Sequence, residues 1–227
     1  MRTGKAMTMT RTANSILTRR TSAGGRRARR FGLAAPLLAL SASLVLSGCL
    51  SFGGKAPDQL FRLTPERRAP AGAMASGSMA DAVVVLDPES DRSLDVLRVP
   101  VRVNESSLAY LKGAGWVEKP SRLFRSLLAE TIRAETGKLV LEGGDYEVTG
   151  KTVLKGRLLE MGYEAQDKAV VVRFDAVRSE RGSAEIEARR FEAVIDGVPP
   201  KAQYVGPALN EAANDVAMQV SQWVKGG

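Results

Sequence analysis

The chain has 227 residues, with 33 Lys and Arg against 25 Asp and Glu, and no His. Its formal charge of +8 would suit an anionic partner, but residues 1–48 hold nine bases and no acid, leaving 24 bases against 25 acids, a net −1, from Cys49 onward. That body lacks the clustered positive charge of a nucleic-acid face, the missing His removes the commonest general base and metal ligand, and one Cys excludes an internal disulfide.

In chain order, the first element reads as an export leader. A basic segment ends at Arg30 and gives way to FGLAAPLLALSASLVLSG, residues 31–48, without charge. Basic, then apolar, then small is the order of a secretory signal. A membrane-spanning helix needs about 20 apolar residues; this run is shorter and is interrupted by Pro36, Ser41 and Ser43. Its end, Leu46-Ser47-Gly48-Cys49, matches the bacterial lipobox. The expectation is a signal peptide over 1–48, cleavage before Cys49, and lipid on that sulfur and on the new N-terminus, palmitate being the typical acyl group. Each buried methylene would add about 0.8 kcal/mol to the attachment. Leu50 stands where Asp would favour retention in the inner membrane, so the expected location is the outer membrane, facing the periplasm. Arg29-Arg30-Phe31 leaves general and twin-arginine export both open, and Met7 and Met9 are alternative starts.

Residues 49–58 read as a lipidated tether, and 59–227 as one folded domain. Residues 59–64 alternate apolar and polar, the period of a half-buried strand, and Pro65 ends it. Residues 66–81 are rich in Ala, Gly, Ser and Pro and read as a flexible loop. Ala82 to Leu86 is a continuous apolar run, a candidate central strand. Leu97 to Val103 alternates as a strand, and Pro100 assigns it to an edge. A short strand at Leu108 to Leu111 turns through Gly113-Ala114-Gly115 to Trp116. Pro120 opens a helix whose stripe is Leu123, Phe124, Leu127, Leu128 and Ile132, with Gly137 as its terminator. Leu139 to Leu141 is a strand followed by a Gly-Gly-Asp turn. Three longer strands follow at 152–164, 169–179 and 184–196, spaced as an antiparallel meander. After Pro199-Pro200, a last helix is expected from about Pro207 to Val224. The fold class is α+β: an antiparallel β-sheet with two main helices packed on one face, a single domain.

No catalytic constellation emerges, and the chain reads as no enzyme, with no cofactor and no metal. A Ser-His-Asp arrangement is impossible without His, and the lipobox consumes the single Cys. Glu142-Gly143-Gly144-Asp145 is the nearest carboxylate grouping, but it reads as a turn. Gly150 and Gly156 lack the GK[ST] ending of a phosphate loop. Trp116 and Trp223 are open to two readings, packing residue or interaction hot spot. Arg67-Arg68 and Arg189-Arg190 read as solvated pairs, with lipid headgroups an alternative contact for the first.

The ordered features resemble the ABC-type transport auxiliary lipoproteins, the PqiC-like family. The resemblance is carried by Cys49, by Leu60-Phe61-Arg62-Leu63-Thr64-Pro65, and by the Tyr110 to Trp116 segment leading to Pro120. It continues through Leu154-Lys155-Gly156-Arg157-Leu158, Arg190-Phe191-Glu192-Ala193 and Leu209-Asn210-Glu211-Ala212-Ala213-Asn214-Asp215-Val216-Ala217. It implies an auxiliary domain over 59–227 that works beside an ABC transporter with an MCE-family periplasmic protein. The implied role is docking, not catalysis, in phospholipid movement between the inner and outer membranes, with a homo-oligomeric ring in some members. A different class, an outer-membrane assembly or structural lipoprotein helping lipopolysaccharide or β-barrel biogenesis, also fits a lipid-anchored domain without catalytic residues.

Overall fold

Three consecutive valines form a strand flanked on both sides in the sheet. A computed structural model describes residues 56–73, 76–144 and 150–226. Cys49 and the rest of the expected leader and lipobox lie outside the described residues. The elements, in order, are β1 (Gln59–Phe61), a 3-10 turn (Met79–Asp81), β2 (Val83–Val85), β3 (Glu89–Ser90), β4 (Pro100–Asn104), β5 (Ser107–Tyr110), β6 (Ala114–Trp116) and α1 (Pro120–Thr136). Then come β7 (Val140–Glu142), β8 (Thr152–Glu164), β9 (Ala169–Glu180), β10 (Ile186–Ile195) and α2 (Ala202–Lys225).

The three valines of β2 are buried and lie between β7 and β8, parallel to both. An unbroken apolar run suits a strand covered on both faces. The sheet has eight strands, ordered β10-β9-β8-β2-β7, with β3, β4 and β5 off that path. β2, β3 and β4 take successive places along β8, each parallel to it. The α+β plan with two main helices is therefore present, but the sheet is mixed rather than antiparallel throughout. Only β8–β9–β10 and the β4–β5 hairpin are antiparallel. The long connection through α1 brings the chain back in the same direction, which a tight hairpin cannot do. β4 is also not the expected edge, since β5 and β8 flank it. Pro100 is accommodated because it is the strand's first residue.

α1 begins at Pro120, and Gly137 ends it at φ 66°, its N–H donating to the Arg133 carbonyl at 2.9 Å. That left-handed turn is where glycine is favoured. α2 starts at Ala202, five residues before the expected Pro207, which lies inside the helix. Pro207 cannot donate to the Gln203 carbonyl; both residues are exposed, so water can serve that carbonyl. α1 packs on β7 and β2, α2 packs on β9 and β10, and the helices pack on each other. From below they meet Leu154, Leu158 and Met161 of β8 and Val170, Val172, Phe174 and Ala176 of β9 in one core. Phe124 meets Phe174 edge-on at 5.2 Å. The other face of the meander carries charges, with Arg173 between Glu160 and Glu192 and Arg190 on Asp175.

The segment expected as a loop from 66 is pinned at its start. Thr64 N–H donates to Asn210 Oδ1 (2.7 Å), Glu66 N–H to Asn214 Oδ1 (2.8 Å) and Ala69 N–H to Glu130 Oε1 (2.9 Å). Two asparagines one helical turn apart thus hold an extended chain across α2.

Candidate functional site

β1 and β6 form a small parallel sheet of their own, with Leu60 opposite Gly115 and Phe61 opposite Trp116. Gln59 N–H donates to the Gly113 carbonyl (3.0 Å), and Val117 N–H to that of Phe61 (2.9 Å). Behind β6, Trp116 N–H reaches the Leu97 carbonyl at 2.9 Å. Gly113 sits at φ 72°, a turn conformation favouring glycine. A Cβ on Gly115 would stand 2.8 Å from the Leu97 carbonyl oxygen, so glycine permits that close approach.

These strands line an apolar groove of about 600 Å³. Ala114, Gly115 and Trp116 line it along β6, with Leu60, Leu97, Leu111 and Val117 around them, and Pro57, Asp58, Arg98 and Lys112 also on it. Trp116 is 1% exposed and meets Phe61 edge-on, with ring centres 5.8 Å apart. By contrast Leu60, Leu97 and Val117 are 59%, 51% and 50% exposed. The Arg98 guanidinium lies over the Tyr110 ring at 3.8 Å, a cation–π contact. The groove can bind an apolar ligand or surface.

Trp116 is a packing residue, and its buried Nε1 has no partner among the described residues. Trp223 is half-buried against Phe191 at 5.6 Å. Glu142 lies at the end of β7 and pairs with Arg125, Gly143 turns at φ 102°, and Asp145 is outside the described residues. Arg67 pairs with Glu135 at 3.7 Å, and Arg68 Nε donates to the Pro65 carbonyl at 3.0 Å. Arg189 lies over Phe191, while Arg190 makes a two-point contact with Asp175 at 2.6 and 2.7 Å. Among the described residues, no three His, Cys, Asp or Glu are placed to hold a metal ion, and no helix is long and apolar enough to cross a membrane.

Sequence reading missed the groove. Leu97 shares its alternation with Val99, which is buried, so periodicity alone assigns both inward. It also missed buried Arg178, whose guanidinium donates to the Trp223 carbonyl (2.8 Å) near the end of α2 and to Glu187 (2.7 Å). A cation there complements the helix dipole.

No family model matches the sequence, and no curated protein matches it. Solved structures do match. One is the crystal structure of protein XCC0632 from Xanthomonas campestris, described under the family model DUF330. It is 16% identical, with a TM-score of 0.58, over 74% of this chain and 96% of that one. Another, the crystal structure of an uncharacterized protein, is 10% identical, with a TM-score of 0.57, over 74% of this chain and 99% of that one. The fold is shared. At such identities the likeness speaks for architecture, and function has to be argued from the chain itself.

Proposed function

We propose that this chain is a lipid-anchored periplasmic auxiliary component of an MCE-type ABC system that moves phospholipid between the inner and outer membranes. It acts by docking and carries out no catalysis. The observation that carries this reading is the joining, in one chain, of a lipobox at Cys49 to a fold shared with XCC0632. DUF330 is the designation of the PqiC-like, MCE-associated family, which is also the family the ordered sequence features resemble. Lipid on Cys49 would hold the domain at the outer membrane, and the domain would contact the MCE-family protein, as a ring of copies or singly.

A photo-crosslinking residue at exposed positions such as Val194 and Tyr204, introduced in cells, tests this. The expected outcome is an adduct with the MCE-family periplasmic protein. Absence of any such adduct, together with deletion that disturbs lipopolysaccharide or β-barrel levels and leaves lipid asymmetry intact, would replace this reading with that of an outer-membrane assembly lipoprotein.

A further inference from the structure

We infer that the groove between β1, β6 and Leu97 is a membrane-contact surface, seated at the headgroup–acyl boundary of the bilayer that holds Cys49. This rests on the anchored reading above. Single exposed apolar residues are ordinary on a protein surface. Leu60, Leu97 and Val117 are each half-exposed or more, and all three line one groove. Contiguous apolar patches of that kind mark interaction sites.

Chain length and charge select the occupant. Ala56 and Pro57, at the start of the described chain, line the groove themselves. They follow Cys49 by seven and eight positions, and an extended chain covers about 3.4 Å per residue. The tether therefore spans at most about 25 Å, which keeps this end of the domain close to the bilayer. Residues 50–57 contain one base, Lys55, and no acid. On the groove itself the charged groups are Asp58, Arg98 and Lys112, a net of one positive charge. Basic groups bordering apolar side chains suit anionic headgroups above acyl chains. Arg98, with its guanidinium stacked on Tyr110, has the amphipathic character such a boundary favours.

The test uses lipidated protein reconstituted into vesicles of phosphatidylethanolamine and phosphatidylglycerol. With the Cys49 sulfur in thioether linkage, Leu97→Cys and Val117→Cys each supply a single labelling thiol for a nitrobenzoxadiazole probe. Ile186→Cys is the control. Ile186 registers with Ser179, and so with Val153, at the opposite end of β8 from Tyr163, where β4 pairs. Acyl-chain nitroxide lipids are expected to quench the probes at 97 and 117 severalfold more than at 186, with the melting temperature unchanged. Equal, weak quenching at all three positions overturns the proposal while leaving the anchor intact. Probe burial that grows with protein concentration and without lipid quenching also overturns it, in favour of contact between copies. If Cys49 itself labels in the unsubstituted chain, the anchored reading fails. The same probes on a Cys49→Ser background with added vesicles then decide the groove alone: quenching at 97 and 117 sustains it, and none overturns it.

Discussion

Asn214 is a buried polar side chain with every one of its contacts assigned. Its amide nitrogen donates to the Thr64 carbonyl at 3.0 Å and to that of Asn210 at 2.8 Å, and its oxygen accepts the Glu66 N–H. Asn214→Ala leaves backbone groups of Thr64 and Glu66 without partners. Thr64 is half-buried and Glu66 exposed, so water can serve them in part. At about 0.5–1.5 kcal/mol for each of the two hydrogen bonds lost, the expected loss is about 1–3 kcal/mol, read from urea unfolding; a change within experimental error would contradict the clamp. A second residue-scale prediction concerns pH. Hydrogen bonding from Arg190 holds the Asp175 carboxyl below its ordinary range, against a partial opposing push from burial. A depressed folded value means that the pair's contribution is present above about pH 4, the unfolded value, and is lost as pH falls through the lower folded value. Arg190→Gln is expected to move the Asp175 titration upward in a carboxyl NMR experiment. An unmoved titration would show that the contact does not persist in solution.

At the scale of elements, the β8–β9 pair depends on one missing side chain. Gly156 faces Ala176, and a Cβ there would stand 2.1 Å from the Asp175 carbonyl oxygen and 2.6 Å from the Phe174 ring. Gly156→Ala would gain about 0.4–1 kcal/mol through the unfolded chain, but overpacking costs about 1–3 kcal/mol. A net drop in thermal stability is expected, and a rise would mean that the two strands separate easily at this position. The long strands and α1 were legible because their periods are sustained and their ends punctuated, as at Pro120 and Gly137. Pairing partners were not legible: nothing in Val83-Val84-Val85 says that both neighbours run parallel, or that β4 is flanked on both sides. Pro207 hid the first turns of α2 because a solvent-facing proline within a helix costs less than the rule against it implies. The groove stayed hidden because alternation marks which residues share a face and is silent on whether that face is covered.

For the whole molecule, charge divides the chain at the residue proposed as its anchor. Nine bases precede Cys49, and a body with a net charge of −1 follows it. Cys49 could be singled out in the sequence because a lipobox match is a local string. The apolar groove is assembled from distant segments, here 57–60, 97–98 and 111–117, and becomes visible only in the fold. The division predicts that Cys49→Ser shifts the protein from the membrane to the soluble fraction of fractionated cells; unchanged membrane association would point to another attachment. The most direct measurement is the intact mass of the chain extracted from membranes. A chain beginning at Cys49, with a mass raised by a diacylglyceryl group and an amide-linked acyl chain, is expected. A membrane-extracted chain that keeps residues 1–48, or whose Cys49 is a free thiol, would contradict the anchored reading.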